Sequence, residues 1–209
     1  MSDPALDLEE VSGKRERSKA VNRQAILDAA RRVFAQLGYE ATTVRDIIRG
    51  TSLASGTFYN YFRSKEEVFD ALHDDGVRRF RPVLTAALEN ARTFEQLVRG
   101  AVTAYFRFLA DERVETGPLG GLEAVHAHVD TPEMRAVFEE VRVHIAAIVG
   151  QGGAPMFDVE YFTAAAIGAA REVGARMCAR PAVEIEPAVE FCVRMLLAGA
   201  AAAQQEGAR

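Results

Sequence analysis

Cysteine and tryptophan are scarce in this chain of 209 residues: tryptophan is absent, and the two cysteines are Cys178 and Cys192. Both cysteines fall in segments with the apolar pattern of buried helices, and neither has a neighbour at the spacing that metal sites use. We therefore expect two buried free thiols, with a redox switch as the less favoured alternative. Neither a metal centre nor a cofactor is expected.

Long hydrophobic runs are also lacking. No stretch reaches the ~20 apolar residues that a membrane-spanning helix requires, and the N-terminus lacks the charged and apolar segments of a secretory signal. The sequence thus predicts cytoplasmic residence without a membrane partner. With 49% apolar and 26% charged residues, the composition is typical of a globular protein.

The sequence also lacks the alternation of β-strands and the common catalytic motifs. We find no Gly-rich phosphate loop after a strand, no nucleophile elbow and no paired histidines with a metal-binding carboxylate. Helical bundles with two metal ions use two Glu-x-x-His pairs. Glu123 and His126 have this spacing, but a second pair is absent. The sequence therefore argues against an enzyme and predicts an all-α protein.

Basic residues are concentrated in one segment, although the net charge is -5. Residues 14–65 contain 11 Lys and Arg against 4 acidic residues, whereas residues 66–209 contain 14 against 22. A basic segment within an acidic chain favours nucleic-acid binding by that segment. The segment begins with Lys14, Arg15, Arg17 and Lys19. These four residues form either a phosphate-contacting arm or a solvated, disordered tail, and both interpretations stay open.

Two short helices meet at a tight turn within residues 42–67. Thr43 and Asp46 have the spacing of a capping box, and apolar residues follow at helical intervals, which predicts a first helix of about two turns. Residues 50–52 are poor helix formers and predict the turn. The second short helix is expected from Ser55 to Phe62, with Phe58 and Phe62 on its buried side.

The other side of this second helix carries hydroxyl, amide and aromatic groups. Gly56 near its start allows a phosphate or a base edge to approach the backbone closely, and the first backbone N–H groups can bind an anion. Ser64 is expected to cap a third helix, with Glu67 in the capping-box position and Lys65 at its entrance. The ordered series predicts a helix-turn-helix that binds DNA.

The segment from Gln24 to Leu72 resembles the N-terminal DNA-binding domain of TetR-type one-component transcriptional repressors. The resemblance rests on AILDAARRVFAQLGYEATTVRDI, SGTFYNYF and RSKEEVF, and it covers about a quarter of the chain. The remainder agrees with the family in length and helical pattern. The resemblance implies a homodimer, a double-stranded DNA operator and an unknown small-molecule effector.

Two positions depart from the family pattern. The family commonly has Gly where this chain has Ser52, and Ser-Lys where it has Ala54 and Ser55. We therefore expect the N-cap hydroxyl of the second helix to come from Ser52 or Ser55, and one usual basic contact is missing.

Five segments are predicted along the chain. They are a flexible basic-ended arm (1–17), a three-helix helix-turn-helix DNA-binding domain (18–63), a connecting helix (64–80), a helical-bundle domain for effector binding and dimerisation (81–203) and a frayed tail (204–209). Helices are expected over residues 18–37, 93–111, 119–128, 131–149, 158–180 and 184–203. Gly38 marks a helix end and Pro82 a break.

In the resembled family, the C-terminal region binds the effector and forms the homodimer, typically through its last two long helices. Here small residues around Gly168 permit close helix packing, and residues 191–197 supply apolar area. Packing within a monomer core would look the same in the sequence. Two-fold symmetry would place two reading helices in successive major grooves, ~34 Å apart.

An effector pocket is predicted from aromatic and polar residues on the helices of the C-terminal region. The candidate residues are Tyr105, Phe106, His126, Phe138, Tyr161, Arg171 and Glu172. The aromatic residues suggest a lipophilic or aromatic ligand, although aromatic stripes at this spacing also occur in ordinary cores. Arg171 and Glu172 interrupt an apolar helix and face either an effector or the dimer surface.

The sequence thus predicts a dimeric, ligand-responsive repressor. Phosphate contacts are assigned to Thr43, Ser55, Tyr59, Tyr61 and Lys65, and base contacts to Thr57, Asn60 and Arg45. Effector binding is expected to shift the connecting helix and so to change the separation of the two DNA-binding domains. The alternative is a sequence-tolerant DNA-organising protein, or a helical interaction protein, without an effector.

Overall fold

The computed structural model describes residues 4–116, 131–152 and 157–207, and within these ranges it contains helices and no strand. The helices are α1 (Pro4–Leu37), α2 (Val44–Arg49), α3 (Ser55–Tyr59), α4 (Lys65–Glu89), α5 (Phe94–Thr116), α6 (Pro132–Gly150), α7 (Val159–Ala179) and α8 (Ile185–Gly207). The prediction of an all-α fold is confirmed. The helix expected over residues 119–128, with His126, lies outside the described residues.

The chain divides into two compact units, and the boundary falls within α4. The N-terminal unit is Met1–Leu72 and the C-terminal unit is His73–Arg209. The domain ranges predicted from the sequence, including the arm and the tail, stay predictions.

The N-terminal unit buries one apolar core beneath its short helices. Its buried members come from α1, α2, α3, the segment between α3 and α4, and the first turns of α4, and they include Ile26, Leu27, Ala30, Phe34, Ile47, Phe58, Phe62 and Val68. Gly38 ends α1 with a positive φ of 77°, and its N–H donates to Phe34 O at 2.9 Å. Glycine is favoured here because a side chain would be strained in the left-handed region.

α1 begins at Pro4 and not near Ser18, where the sequence suggested a start. Proline is tolerated in the first turn of a helix, where its missing N–H has no intrahelical acceptor. Leu, Glu and Arg, which follow in this segment, are favourable helix formers. The residues assigned to an arm are therefore helical from Pro4 onward.

α4 continues through Pro82 to Glu89, so the predicted break at Pro82 was wrong. Pro82 is exposed, whereas Leu84 and Leu88 beyond it are only 3% and 2% exposed. Burial of a leucine side chain contributes about 1.5–3 kcal/mol. Two such leucines offset the ~3 kcal/mol that a proline costs inside a helix.

The C-terminal unit is a helical bundle with a separate apolar core. Leucine, valine, phenylalanine and cysteine side chains from the second half of α4 and from α5 to α8 form this core, including Leu88, Val98, Phe106, Val141, Ile145, Cys178, Cys192 and Val193. Ion pairs at its surface link α4 to α5 through Arg79 and Glu112, and α5 to α8 through Arg99 and Glu190. Surface ion pairs of this kind contribute little to stability, because water and salt screen them.

Both cysteines are buried in this core, as the sequence predicted, and they are free thiols. Burial raises the pKa of the Cys192 thiol to about 11. The thiolate is the reactive form of cysteine, and burial disfavours it at both positions. Neither cysteine therefore has the accessible surroundings of a redox sensor.

Helices α5 and α7 pack closely together at Gly174. A Cβ atom added to Gly174 would lie 2.6 Å from Leu109 Cδ1 and 3.2 Å from Phe106 Cε1. Gly174 is buried, and Phe106 is fully buried opposite it. The interface therefore has no space for a methyl group unless these side chains move.

We expect Gly174→Ala to lower the free energy of unfolding by about 1–3 kcal/mol, because overpacking forces neighbouring side chains out of their preferred rotamers. Urea unfolding followed by circular dichroism measures this change. Gly100→Ala is the matched control, since its Cβ would meet Ala87 O at an ordinary 3.5 Å. An equal loss in both variants would contradict the packing argument.

Candidate nucleic-acid interface

A capping box begins α2, as the sequence predicted. Asp46 N donates to Thr43 Oγ1 at 3.3 Å, and Thr43 N donates to Asp46 Oδ2 at 3.0 Å. The hydroxyl and the backbone N–H of Thr43 hold the pKa of the Asp46 carboxyl below its usual value. The Thr43 hydroxyl also donates to Asp46 Oδ2. Its assignment to a DNA phosphate stays a prediction, and both of its donors already serve the cap.

The turn between α2 and α3 is held by Thr51. Its hydroxyl donates to Ile48 O at 2.8 Å and accepts from Leu53 N at 3.1 Å. The N-cap residue of α3 is Ala54, which makes no side-chain cap hydrogen bond. The expectation that Ser52 or Ser55 supplies this cap was therefore wrong. The side-chain hydrogen bonds of this turn come from the Thr51 hydroxyl instead.

α3 is anchored by Phe58, whose side chain is 1% exposed. The helix ends at Tyr59, three residues before the end predicted from the sequence. Phe62 nevertheless stays in the same core, with its ring centroid 6.1 Å from that of Phe58. Two buried aromatic rings thus fix which side of α3 faces outward.

The outward side of α3 presents most of the predicted DNA-contacting groups. Ser55, Gly56, Tyr59 and Asn60 are exposed, and Tyr59 reaches 58% exposure. Thr57 and Tyr61 are partly buried, and Arg45 on α2 is exposed. The structure therefore collects four of these residues on one helix face, with two more at its edge.

Contacts among the described residues of this unit do not explain why position 56 is glycine. A Cβ atom added there would meet nothing within 4 Å, and the φ angle of Gly56 is not positive. Glycine within a helix costs roughly 0.5–1 kcal/mol relative to alanine. Position 56 on the exposed face of α3 therefore lacks a side chain, and no contact among the described residues offsets the stability that this glycine costs.

Lys65 connects the first turn of α4 to the loop after α1. Its Nζ donates to Tyr39 O at 2.9 Å and to Glu40 O at 3.3 Å, and it lies 4.4 Å from the centroid of the Tyr39 ring. The Tyr39 hydroxyl donates to Glu66 Oε1 at 3.2 Å. Burial and the Glu66 carboxylate raise the pKa of Tyr39 to about 12. The sequence assigned Lys65 to a phosphate and gave no signal for this internal role, which depends on residues 26 positions apart.

We expect Lys65→Met to lower the free energy of unfolding by about 1–3 kcal/mol, since it keeps the aliphatic stem but removes charged hydrogen bonds and a cation–π contact. The change is measured by thermal and urea unfolding. Arg63→Met is the control, because the Arg63 side chain is exposed and surface changes usually stay within about 0.5 kcal/mol. If the two variants were equally stable, the internal hydrogen bonds of Lys65 would not contribute to stability.

The candidate effector residues separate into an inner and an outer group. Phe106 is fully buried, and Tyr105, Phe138 and Arg171 are partly buried. Tyr161 is 75% exposed, and Glu172 is exposed and accepts from Arg176 Nε at 2.7 Å. Tyr161 and Glu172 are therefore exposed, whereas Tyr105 is partly buried, and the assignment of these residues to an effector site stays a prediction.

Small and apolar residues are exposed on both α7 and α8. Ala164, Ala165 and Gly168 are exposed on α7, whereas Phe191 and Met195 on α8 are 57% and 42% exposed. Other apolar residues of the segment 191–197 point elsewhere. Val193 and Leu196 are 0% and 6% exposed and belong to the core.

The described part of the chain contains neither a metal site nor a membrane-spanning helix. There, no group of three or more His, Cys, Asp or Glu side chains is arranged to hold a metal ion. No helix in the same ranges combines the length and apolar character needed to cross a membrane.

Comparison with known proteins gives a consistent set of matches. Residues 26–72 match the family model of bacterial regulatory proteins of the tetR family. The HTH-type transcriptional repressor ComR of Escherichia coli strain K12 is 37% identical over 103 residues, which are 48% of this chain and 47% of ComR. The chain thus spans about half the length of the curated relatives that it matches.

Solved structures extend the similarity of fold to both units. The fatty acid degradation regulator FadR of Bacillus halodurans aligns with a TM-score of 0.69 and 20% identity, over 85% of this chain and 95% of FadR. RolR in complex with resorcinol aligns with a TM-score of 0.61 and 19% identity, over 91% of this chain and 94% of RolR. At this identity the likeness supports the fold, an N-terminal helix-turn-helix followed by a helical C-terminal unit.

Proposed function

We propose that this chain, which by its N-terminal unit belongs to the tetR family of bacterial regulatory proteins, represses transcription as a homodimer on a palindromic operator and leaves the operator when a small molecule binds its C-terminal unit. The observation that carries the proposal is the outward face of α3, where Ser55, Gly56, Tyr59 and Asn60 lie together. This face lies within residues 26–72, which match the family model.

The DNA contacts are divided by chemistry. Ser55, Tyr59 and Tyr61 carry hydroxyl donors suited to phosphate oxygens, whereas the Asn60 amide can pair with a base edge through two hydrogen bonds. Thr57 and Arg45 are further base-contacting candidates. The concentration of Lys and Arg in residues 14–65 supports phosphate binding by this unit in an otherwise acidic chain.

The dimer is proposed to form through α7 and α8. Exposed alanines and Gly168 on α7 permit close approach of a second helix, and Phe191 and Met195 on α8 supply apolar area. Two copies related by two-fold symmetry would present two α3 helices to a palindromic site. A monomer would present only one.

The effector is proposed to bind within the helical C-terminal unit and to be lipophilic or aromatic. RolR, which shares the fold, holds resorcinol, so a bundle of this kind can accommodate a small aromatic molecule. A tenfold loss of operator affinity requires a coupling free energy of only ~1.4 kcal/mol. The effector must then bind the conformation that does not fit DNA more tightly than the one that does.

The proposal is tested by footprinting the purified protein on the promoter beside its own coding sequence, with random duplex as competitor at two salt concentrations. We expect a palindromic footprint that random DNA does not displace and that weakens as salt rises. A protected region that random duplex removes equally well would favour the alternative, a sequence-tolerant DNA-organising protein.

Asn60→Ala separates base recognition from phosphate binding. We expect it to weaken operator binding by about 1–3 kcal/mol while leaving the affinity for random duplex unchanged, since a lost base contact costs only specific binding. Ser55→Ala is the comparison variant. It should weaken the binding of operator and of random duplex to a similar, smaller extent. Equal losses on both DNAs for Asn60→Ala would make Asn60 a phosphate contact.

A further inference from the structure

A groove with a volume of about 440 Å³ lies between α4 and α5 in the C-terminal unit. α4 lines it with Val83 and Ala87, and α5 lines it with Gly100, Ala104 and Phe108. All five residues are partly buried or exposed, and none is a buried member of the core. Small-molecule sites usually have volumes of about 300–1,000 Å³, so the groove is large enough for a small ligand.

The two ends of the groove differ. Gly100 and Phe108 are two turns apart on α5, with Ala104 between them. A Cβ atom added to Gly100 would lie 3.5 Å from Ala87 O, so the helices are already close together at that end. At the other end, the ring of Phe108 packs against that of Phe80 at a centroid distance of 5.3 Å. The groove therefore has a narrow end with small residues and an aromatic wall, which suits an apolar group of limited size.

Two unpaired charges of opposite sign also line the groove. Arg107 and Asp111 are both exposed and are four positions apart on α5. Neither side chain has a hydrogen bond or an ion pair with another described residue. Arg99 on the same helix, by contrast, pairs with Glu190. The groove thus offers a ligand one guanidinium and one carboxylate, a helical turn apart, with their donors and acceptors available.

We propose that this groove binds a free α-amino acid with an apolar side chain. The Arg107 guanidinium pairs with the carboxylate of the ligand, and the Asp111 carboxylate accepts hydrogen bonds from its ammonium group. Both charged groups of an amino acid are on one carbon atom, and Cβ atoms one helical turn apart are separated by about 5–6 Å, so the two pairs form together. The apolar side chain packs against Ala104 and Phe108.

The site is distinct from the effector site predicted from the sequence. None of the described candidate effector residues lines the groove. The inference therefore goes beyond the proposed function and does not depend on operator binding.

The experiment titrates the full chain, without DNA, with L-phenylalanine and with two analogues that each lack one charged group. 3-Phenylpropanoate lacks the ammonium group, and phenethylamine lacks the carboxylate. Calorimetry gives the dissociation constants. We expect L-phenylalanine to bind with a dissociation constant of about 1 mM or lower, which is usual for a ligand of this size. Each analogue should bind about tenfold or more weakly, because it loses one charged hydrogen-bonded pair.

Substitutions at the two charged positions assign each pair. Arg107→Met should abolish the preference for L-phenylalanine over phenethylamine, since the carboxylate then has no partner, and should keep the preference over 3-phenylpropanoate. Asp111→Asn should have the opposite pattern. Arg194→Met is the control, because Arg194 is exposed on α8 and does not line the groove. It should leave all three dissociation constants unchanged.

Ala104→Leu tests the groove itself. The added side chain enters space that is open in the free protein, so it should weaken L-phenylalanine binding about tenfold or more without lowering the melting temperature. A loss of binding in a protein of unchanged stability distinguishes a blocked site from a damaged fold.

The proposal is overturned by equal binding of the three compounds, by L-phenylalanine binding that survives Ala104→Leu, or by no binding at about 10 mM ligand. It is also overturned if Arg107→Met changes the oligomeric state in sedimentation equilibrium, since the groove would then be a contact between copies of the chain. None of these results bears on operator recognition, because the palindromic footprint is measured without ligand. Failure of the footprint itself would instead count against the proposed function.

Discussion

Gly168→Arg is expected to convert the protein to a monomer and to weaken operator binding by about a hundredfold or more, with its helical content intact. Gly168 is exposed near the middle of α7, and an added Cβ would meet nothing within 4 Å. No contact within the described part of one chain therefore explains a glycine at this position, although glycine costs roughly 0.5–1 kcal/mol there relative to alanine. The close approach of a second copy, as proposed for α7, would explain it.

The expected size of the effect follows from the linkage of two half-sites. When one α3 helix of a dimer is bound, the other binds at an effective concentration set by the dimer geometry, which raises overall affinity by factors of about 10²–10⁴. A charged side chain in the contact removes this gain, because burying an unpaired guanidinium is strongly unfavourable. Sedimentation equilibrium gives the oligomeric state, and a filter-binding titration gives operator affinity.

Gly150→Arg is the matched control, since Gly150 is exposed at the end of α6 and its Cβ also meets no neighbour. It should remain dimeric and bind the operator normally. A dimeric Gly168→Arg protein with wild-type affinity would remove α7 from the proposed interface.

Local rules explain why much of the N-terminal unit could be predicted from the sequence. The capping box of Thr43 and Asp46 requires only residues three positions apart, and the pair is present as expected. Phe58 and Phe62 were assigned to the buried side by helical spacing, and both are in the core. These residues also lie within the segment that matches the tetR family model. The relatives of the chain are repressors, which agrees with the expectation that the chain is not an enzyme.

Errors arose where distant residues determine the outcome. Pro82 predicted a break, but Leu84 and Leu88 gain their burial from helices that follow later in the chain. The phosphate contact assigned to Lys65 stays a prediction, but the sequence did not indicate its hydrogen bonds to the carbonyls of Tyr39 and Glu40, because only the folded loop after α1 brings these acceptors within reach. Neither effect is visible in a window of one or two helical turns.

The effector candidates show the same limit in another form. Helical spacing groups residues on one face of a helix, but it does not say whether that face meets the core, a ligand or a second copy. Arg171 and Glu172 are adjacent in sequence, and the structure separates them because Gly174 brings α7 against α5 on only one side. The packing partner therefore decides which of two neighbouring charges is partly buried.

Gly56→Leu is expected to weaken operator binding by about a hundredfold or more without lowering stability. Gly56 is exposed on α3, its φ is not positive, and an added Cβ meets nothing within 4 Å. A leucine therefore fits the free protein and replaces a poor helix former with a good one. On DNA, the same side chain would hold α3 away from the groove and separate Asn60 from its base edge, since direct contacts act only at hydrogen-bonding distance.

Gly56→Ala gives the intermediate point of this series. It should raise the free energy of unfolding by about 0.5–1 kcal/mol, because alanine loses less backbone freedom, and it should weaken operator binding about tenfold through the methyl group alone. Unfolding is measured by urea titration and operator affinity by filter binding. Gly150→Leu serves as the control for a leucine added to an exposed helix end. If both Gly56 variants gained stability and kept wild-type operator affinity, the outward face of α3 would not approach DNA closely, and the bases would have to be contacted from another helix of the N-terminal unit.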